Sequence, residues 1–379
     1  MGVTSGAFWL VTIVGLLGVV PLTKSRHRDA ALAALNLAFL ALVQGPWLAA
    51  SLALLLGSYA AVTMLDRARP SASKWFTAAT CAALALFAAF KAPAIAGLLP
   101  PALSVWLSAL GYSYVALRFI DELAVVRDEG GAPTFAQHLN YLVPFHMLAA
   151  GPIQAFSDFR GEGAVAAPLT FDQALAACER IGLGLFKKLV LAHALERLFL
   201  TGFRSEGLYY FIEVQLFLPW LYLDFSSYSD IAVGVGRLLG VRTPENFDRP
   251  YLARDLVDFW QRWHISLSQW IRRNVFMPLQ MLLQRRLPEV SSLRTSSMTL
   301  LVAFGLCGLW HMVSVRYALW GLMHACGVVA ANASQVLYVK RHGRAAYVAY
   351  RKRPLPRLIG IVLTFEFVAW SLSIVAGQP

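Results

Sequence analysis

Three histidines stand where imidazole chemistry at neutral pH is possible. His264 lies in the run Phe259-Trp260-Gln261-Arg262-Trp263-His264-Ile265-Ser266-Leu267-Ser268. Read as a helix, this run puts His264 and Ser268 on one face and Trp263 and Trp270 on a neighbouring one. Arg262, Arg272 and Arg273 add fixed cations that suit phosphate or carboxylate. A functional site fits this pattern, and so does an interfacial helix with an aromatic belt and snorkelling arginines. His311 closes the apolar run Leu301-Val302-Ala303-Phe304-Gly305-Leu306-Cys307-Gly308-Leu309-Trp310. An ionisable residue at the edge of a span is costly unless it faces a cavity, which makes it a site candidate. A hydrogen-bonded structural histidine fits that position equally. His324 lies in the next apolar run, where a structural role or support of a neighbour is favoured.

The elements that would position these histidines belong to a membrane protein. Of 379 residues, 58% are hydrophobic and 14% are charged, against about 25% charged in a soluble domain. A single soluble core could not hide so much apolar surface. The composition excludes an ordinary cytosolic enzyme, a disordered chain and a disulfide scaffold, and makes lipid the main solvent. Lys+Arg is 33 and Asp+Glu is 21, a net +12. In a membrane protein that excess collects in the inside loops, and no nucleic-acid motif accompanies it. Cys81, Cys178, Cys307 and Cys326 lie in or beside apolar runs without CxxC spacing, so they read as small core hydrophobes. No zinc spacing, nucleophile elbow, phosphate loop or dinucleotide fingerprint occurs in a workable context.

Along the chain, residues 3–23 read as a retained span, because no basic segment precedes them. Lys24, Arg26 and Arg28 follow and are placed inside. Runs 30–43 and 47–65 form a hairpin broken at Gln44-Gly45-Pro46, and Arg67 and Arg69 return the chain to the inside. Further runs cover 75–90, stopped by Lys91 and Pro100-Pro101, then 103–120 and 134–150. Residues 171–200 are long and amphipathic, with Lys187-Lys188 read as a membrane-surface anchor. After the apolar 208–223 comes 224–273, which is too polar for lipid and too rich in Trp for a flexible loop. Such a segment survives at membrane depth only inside protein or along a water-filled cavity. Asp224 and Asp230 there read as a polar insertion, either lining a donor entrance or, preferably, paired with Arg249 or Arg254. Spans 297–310, 317–337 and 358–376 end the chain. The basic loop 340–357 between the last two places the C-terminus outside, as the first basic loop does the N-terminus. No internal repeat or linker interrupts what reads as one membrane domain, 1–379.

Four segments, in order, resemble the bacterial branch of the membrane-bound O-acyltransferases. They are Ala150-Gly151-Pro152-Ile153-Gln154 with Phe156 and Phe159, then Gly184-Leu185-Phe186-Lys187-Lys188-Leu189. The third runs from Tyr222-Leu223-Asp224-Phe225-Ser226-Ser227-Tyr228-Ser229-Asp230, through Thr243-Pro244-Glu245-Asn246-Phe247-Asp248-Arg249-Pro250-Tyr251 and the Trp260–His264 run, to Met277-Pro278-Leu279. The fourth joins Gly308-Leu309-Trp310-His311 to Leu319-Trp320-Gly321-Leu322-Met323-His324. The set covers residues 110–330 roughly; each piece is weak alone, and the ordered set is specific.

The resemblance implies an all-α polytopic membrane protein, a ring of about nine to twelve transmembrane and re-entrant helices around a central tunnel. It implies O-acyl transfer, with His311 catalytic and His264 the second residue associated with activity. Asp224, Tyr228, Asn246, Trp260, Arg262, Trp263, Ser268, Trp310 and His324 become the substrate-binding or tunnel-lining candidates, and no metal is expected. No cofactor is expected to stay bound; the donor substrate is an acyl-CoA (acetyl-CoA) or an acyl carrier protein thioester, arriving from the cytoplasm of a bacterial plasma membrane. The acceptor is a cell-surface glycan hydroxyl or an extracytoplasmic acyltransferase partner. The chemistry agrees: a histidine suits the base for an attacking hydroxyl, and Asn246, Trp263 or backbone N–H groups could meet the oxyanion.

The pattern also departs. Met312 and Ala325 stand where Gly is common, and Gln280-Met281 replaces a Gly-Gly-Asn turn. Tyr228-Ser229-Asp230 resembles the polysaccharide acetylases, while Phe276-Met277 and the chain length resemble the D-alanyl transfer proteins of teichoic acid assembly. Acetyl transfer is the leading expectation and D-alanyl transfer the alternative. A transporter or flippase is the outsider, because its matched inverted halves are absent from the sequence.

Overall fold

Helices dominate because lipid offers backbone N–H and C=O groups no water, and a helix satisfies them within one segment. The computed structural model describes residues 3–22, 25, 27–68, 71–92, 97, 101–148, 150–161, 169–199 and 206–376. Lys24, Arg26, Arg69, Pro100 and Leu200, used above to mark loops and ends, lie outside the described residues. Among the described residues there is no β-strand; Phe247 and Trp263 make one isolated antiparallel bridge. Five stretches are long and apolar enough to cross a membrane: Arg28–Arg67, Ala72–Lys91, Ser292–His311, Val315–His342 and Pro354–Ser373. A sixth is the pair Pro101–Leu107 and Tyr112–Glu129, bent by 60°. Gly111 sits between them at φ 67, where an added Cβ would press on the Leu148 carbonyl. The first apolar helix, Gly6–Gly18, is shorter than the predicted span and gives way to a 3₁₀ turn at Val20–Leu22, where Pro21 offers no N–H to continue it.

The chain divides into two compact units, residues 1–188 with 225–245, and residues 189–224 with 246–379. In the first unit a buried polar network fixes the loop that carries Gly151 and Pro152. Arg118 is fully buried and donates to the carbonyls of Leu142 (3.4 Å), Met147 (3.0 Å) and Pro152 (3.2 Å). Asp121 accepts from the Tyr141 hydroxyl (3.2 Å) and the Phe156 amide (2.8 Å). Glu122 and His138 pair at 2.9 Å, and His138 Nε2 meets Ser58 Oγ at 2.9 Å. A Cβ at Gly151 would collide with the Met147 backbone, so the turn needs glycine.

Two expectations change here. Residues 224–238 are not a polar insertion: they continue the helix Gly207–Leu238, with Ser226, Ser227 and Ser229 buried against protein. Asp230 is not held by Arg249 or Arg254; it accepts from Lys187 (2.7 Å) and Arg180 (3.1 Å), and Arg180 also grips Glu245. Lys187 is therefore drawn inward by a carboxylate rather than left as a surface anchor.

The second unit is organised by a hairpin of the helices Ser292–His311 and Val315–His342. Its turn is closed by Ser314, whose hydroxyl caps the Tyr317 amide. The two backbones touch at glycines: a Cβ at Gly308 would strike the Tyr317 carbonyl oxygen, and one at Gly321 the Phe304 carbonyl oxygen. Small residues at such crossings let helices in lipid pack by close contact. Asp258, outside these spans, holds the preceding segment. It accepts from Arg262 (2.7 Å) and Arg254 (3.0 Å). Burial pushes its carboxyl up, but the hydrogen bonds from Arg262 and Arg254 outweigh burial and hold it below the usual aspartate range. The clamp is thus fully ionised at neutral pH.

The glycine crossing gives a direct expectation. Gly308→Val should lower the apparent unfolding temperature in detergent by about 5 °C or more, since neither backbone can yield without moving a helix. Gly305→Val, next to a site with only an ordinary contact to Leu322, should leave it within about 2 °C. Differential scanning fluorimetry of the two purified variants reads the difference.

Candidate active site

His264 is placed by a short pairing of two loop segments in the second unit. The Asp248 amide donates to the Arg262 carbonyl (3.0 Å) and the Ile265 amide to the Asn246 carbonyl (3.0 Å). This sets Asn246 opposite His264. Asn246 Oδ1 lies 3.1 Å from His264 Nδ1, and also accepts from Ser266 Oγ (2.8 Å) and the Ser266 amide (3.3 Å). With the amide oxygen as acceptor, His264 carries its proton on Nδ1, and Nε2 keeps its lone pair. His264 itself has left-handed backbone, φ 44 and ψ 52. For a residue with a side chain that conformation is strained by roughly 1–3 kcal/mol, and it persists only where surroundings enforce it.

That backbone corrects the helical reading of 259–268. The helix Leu256–Trp260 ends before His264, and a new one, Ile265–Ile271, starts after it. Ser268 therefore does not share a helical face with His264; its amide bonds the His264 carbonyl (3.1 Å), and Ser266 takes the side-chain role.

His311 ends the helix Ser292–His311 and is half-buried. Its ring is 4.8 Å from Trp310, 5.6 Å from Trp320 at 88°, and 6.2 Å from Tyr317. Trp310 reaches back to His264 at 6.2 Å. Trp320 in turn lies 4.7 Å from His324. Its indole Nε1 is buried and has no hydrogen-bond partner among the described residues.

His324 is fully buried and bonded on both ring nitrogens. Trp260 Nε1 lies 3.3 Å from Nδ1, and Ser371 Oγ 2.8 Å from Nε2. An indole N–H can only donate, so Nδ1 accepts and Nε2 carries the proton. Ser371 then donates its own hydroxyl hydrogen bond to the Val368 carbonyl (2.7 Å).

Thus His264, Asn246, Trp260, Trp310, His311 and His324 come together through direct contacts in the second unit. The other candidates have these surroundings. Arg262 spends its guanidinium on Asp258 (2.7 Å) and Asp248 (3.3 Å), carboxylates of the protein itself. Trp263 stacks on Phe259 (5.5 Å) and lines a separate apolar cavity of about 280 Å³ with Tyr222 and Tyr251. Asp224 and Tyr228 lie on the helix Gly207–Leu238, Asp224 in the second unit and Tyr228 in the first. Residue reading missed Ser266, Tyr317, Trp320 and Ser371. Trp320 was visible four residues before His324, one helical turn away; Ser371 carried no signal, being one serine in a distant span. Among the described residues no cluster of His, Cys, Asp or Glu could hold a metal ion.

Comparison with known proteins identifies the family. The model of the membrane-bound O-acyltransferase family matches residues 37–349. The chain is similar to a teichoic acid D-alanyltransferase of Bacillus subtilis (strain 168), 26% identical over 72% of this chain and 70% of that one. It is similar to a second of that description from Streptococcus thermophilus, at 29% over 72% and 69%. It is also similar to a probable alginate O-acetylase of Pseudomonas fluorescens, at 30% over 60% of this chain and 46% of the relative. The apolar spans make it a multi-pass membrane protein, the matched relatives are transferases of acyl groups, and the family match spans the His264–His324 constellation. The chain belongs to the membrane-bound O-acyltransferase family and is an acyltransferase.

Proposed function

We propose that the protein moves an acetyl group from a cytoplasmic thioester to a hydroxyl on the outer side of a bacterial plasma membrane, with His311 as general base. The observation that carries this reading is the half-buried His311 ring at a helix end, walled by Trp310, Tyr317 and Trp320. His311 takes the proton of the acceptor hydroxyl as its oxygen attacks the thioester carbonyl. The C–O bond forms, the C–S bond breaks, and the thiolate leaves with the proton returned from the imidazolium. The Trp320 N–H, buried and unmet, is a donor for the developing oxyanion. His264, with Nε2 kept as acceptor by Asn246, orients the acceptor hydroxyl. The site would sit in a tunnel, reached by an acyl-CoA or acyl carrier protein thioester from within and by a surface polysaccharide, or a partner acyltransferase, from outside. Both termini would then face outward.

The neutral rings around His311 support acetyl as the group carried. D-alanyl transfer to a teichoic-type polymer is the second reading. The longer matches to D-alanyltransferases support it.

Mass spectrometry of surface glycans should show acetyl esters with the wild-type protein and none with His311→Ala, although that variant reaches the membrane in normal amount. Loss of D-alanine esters instead would select the second reading; glycans unchanged by the substitution would sink both. In reconstituted protein, Trp320→Phe should lower kcat about 10–1000-fold with little change in KM, because only the transition state uses the missing donor. An unchanged kcat would remove Trp320 from the mechanism.

A further inference from the structure

The first unit holds a cavity of about 530 Å³ whose lining includes none of the residues around His311. Arg28, Arg160 and Arg242 line it, against the single carboxylate of Asp29. An excess of guanidinium in a pocket matches phosphate, whose oxygens accept the parallel N–H groups.

Arg28 is built into the wall. It is 5% exposed, and its Nη2 donates to the Gly240 carbonyl at 2.7 Å. Its Nε is buried and has no hydrogen-bond partner among the described residues. A buried charged donor left unmet is costly, and the side chain that carries it lines the cavity. Arg160 donates to the Gly130 carbonyl at 2.6 Å, and its guanidinium lies over Gly131, whose φ of 78 and missing side chain leave it room. Among the described residues neither Arg28 nor Arg160 forms a salt bridge. Beside them Phe156 and Phe159 stack at 6.1 Å and give the cavity an apolar wall. Arg28 is also the first residue of the apolar stretch Arg28–Arg67, so its place in the lining is at the end of a span rather than in its middle.

We propose that this cavity is a phosphate-ester site, in which Arg28 and Arg160 hold the phosphate and Phe156 and Phe159 cover the adjoining apolar part of the ligand. At a span end two sources can supply that chemistry, a soluble phosphate ester or the headgroup of an anionic phospholipid. The site is in the first unit and stands whether or not His311 is the base.

The test uses the full chain in nanodiscs, as wild type, Arg28→Gln and Arg160→Gln. In phosphatidylcholine discs, calorimetric titration with coenzyme A probes a soluble phosphate ester. In discs containing phosphatidylglycerol, native mass spectrometry counts retained lipid. One of the two ligands should bind the wild type and bind each variant at least about tenfold more weakly, a loss of about 1.4 kcal/mol. Coenzyme A responding identifies the soluble source; phosphatidylglycerol responding identifies the lipid. Arg160→Gln carries the result if Arg28→Gln fails to fold, because Arg160 is exposed and holds only one carbonyl. Neither ligand binding the wild type, or both binding Arg160→Gln as they bind the wild type, overturns the proposal.

Discussion

Burying a polar side chain inside a membrane protein is costly, so most of its N–H groups and lone pairs must meet partners there. In the second unit this requirement settles the histidines one by one. His324 is closed by the Trp260 indole and the Ser371 hydroxyl, and so its tautomer is fixed. His264 is tied at Nδ1 to Asn246, which is itself shared with Ser266. His311, at the end of its helix, has the Trp310 and Trp320 rings against it and is half-buried, where a substrate could approach. The same requirement shapes the first unit, where Arg118 gathers three carbonyls and Glu122 takes His138.

These local solutions depend on two backbone features. The Gly308 and Gly321 crossing lets the helices of the hairpin touch, and His311 and His324 both pack against the Trp320 ring. The left-handed backbone at His264 turns the chain between two short helices and points the imidazole toward Asn246 and Trp310. Neither feature performs chemistry. Both remove freedom from the groups that would, which is how a rigid scaffold makes a weak base effective.

Much of this was legible in the residues. Lipid as solvent, the spans around His311 and His324, and the break at Gly45-Pro46 follow from composition and hydropathy, which lipid enforces strictly. The polar stretch after Asp224 was also marked as protein-buried, and Ser226, Ser227 and Asn246 are buried. What periodicity could not reveal was conformation at single residues. His264 looks helical by spacing, and only the Asn246 pairing, eighteen positions upstream, pulls it out. Nor does spacing choose ion-pair partners. Asp230 reaches Lys187 and Arg180, forty or more positions earlier, rather than the nearer Arg249. Ser371 shows the same limit, since its value to His324 arises only from packing between distant spans.

The proposed acyl transfer depends most heavily on His311 as the group that takes the acceptor proton. Chemical rescue reads that role directly. The His311→Gly variant, reconstituted in nanodiscs with a thioester donor and a glycan acceptor, should transfer at least about a hundredfold more slowly than wild type. Added imidazole should restore part of the rate, in proportion to the concentration of its neutral form. A variant that transfers at the wild-type rate without imidazole would contradict the assignment.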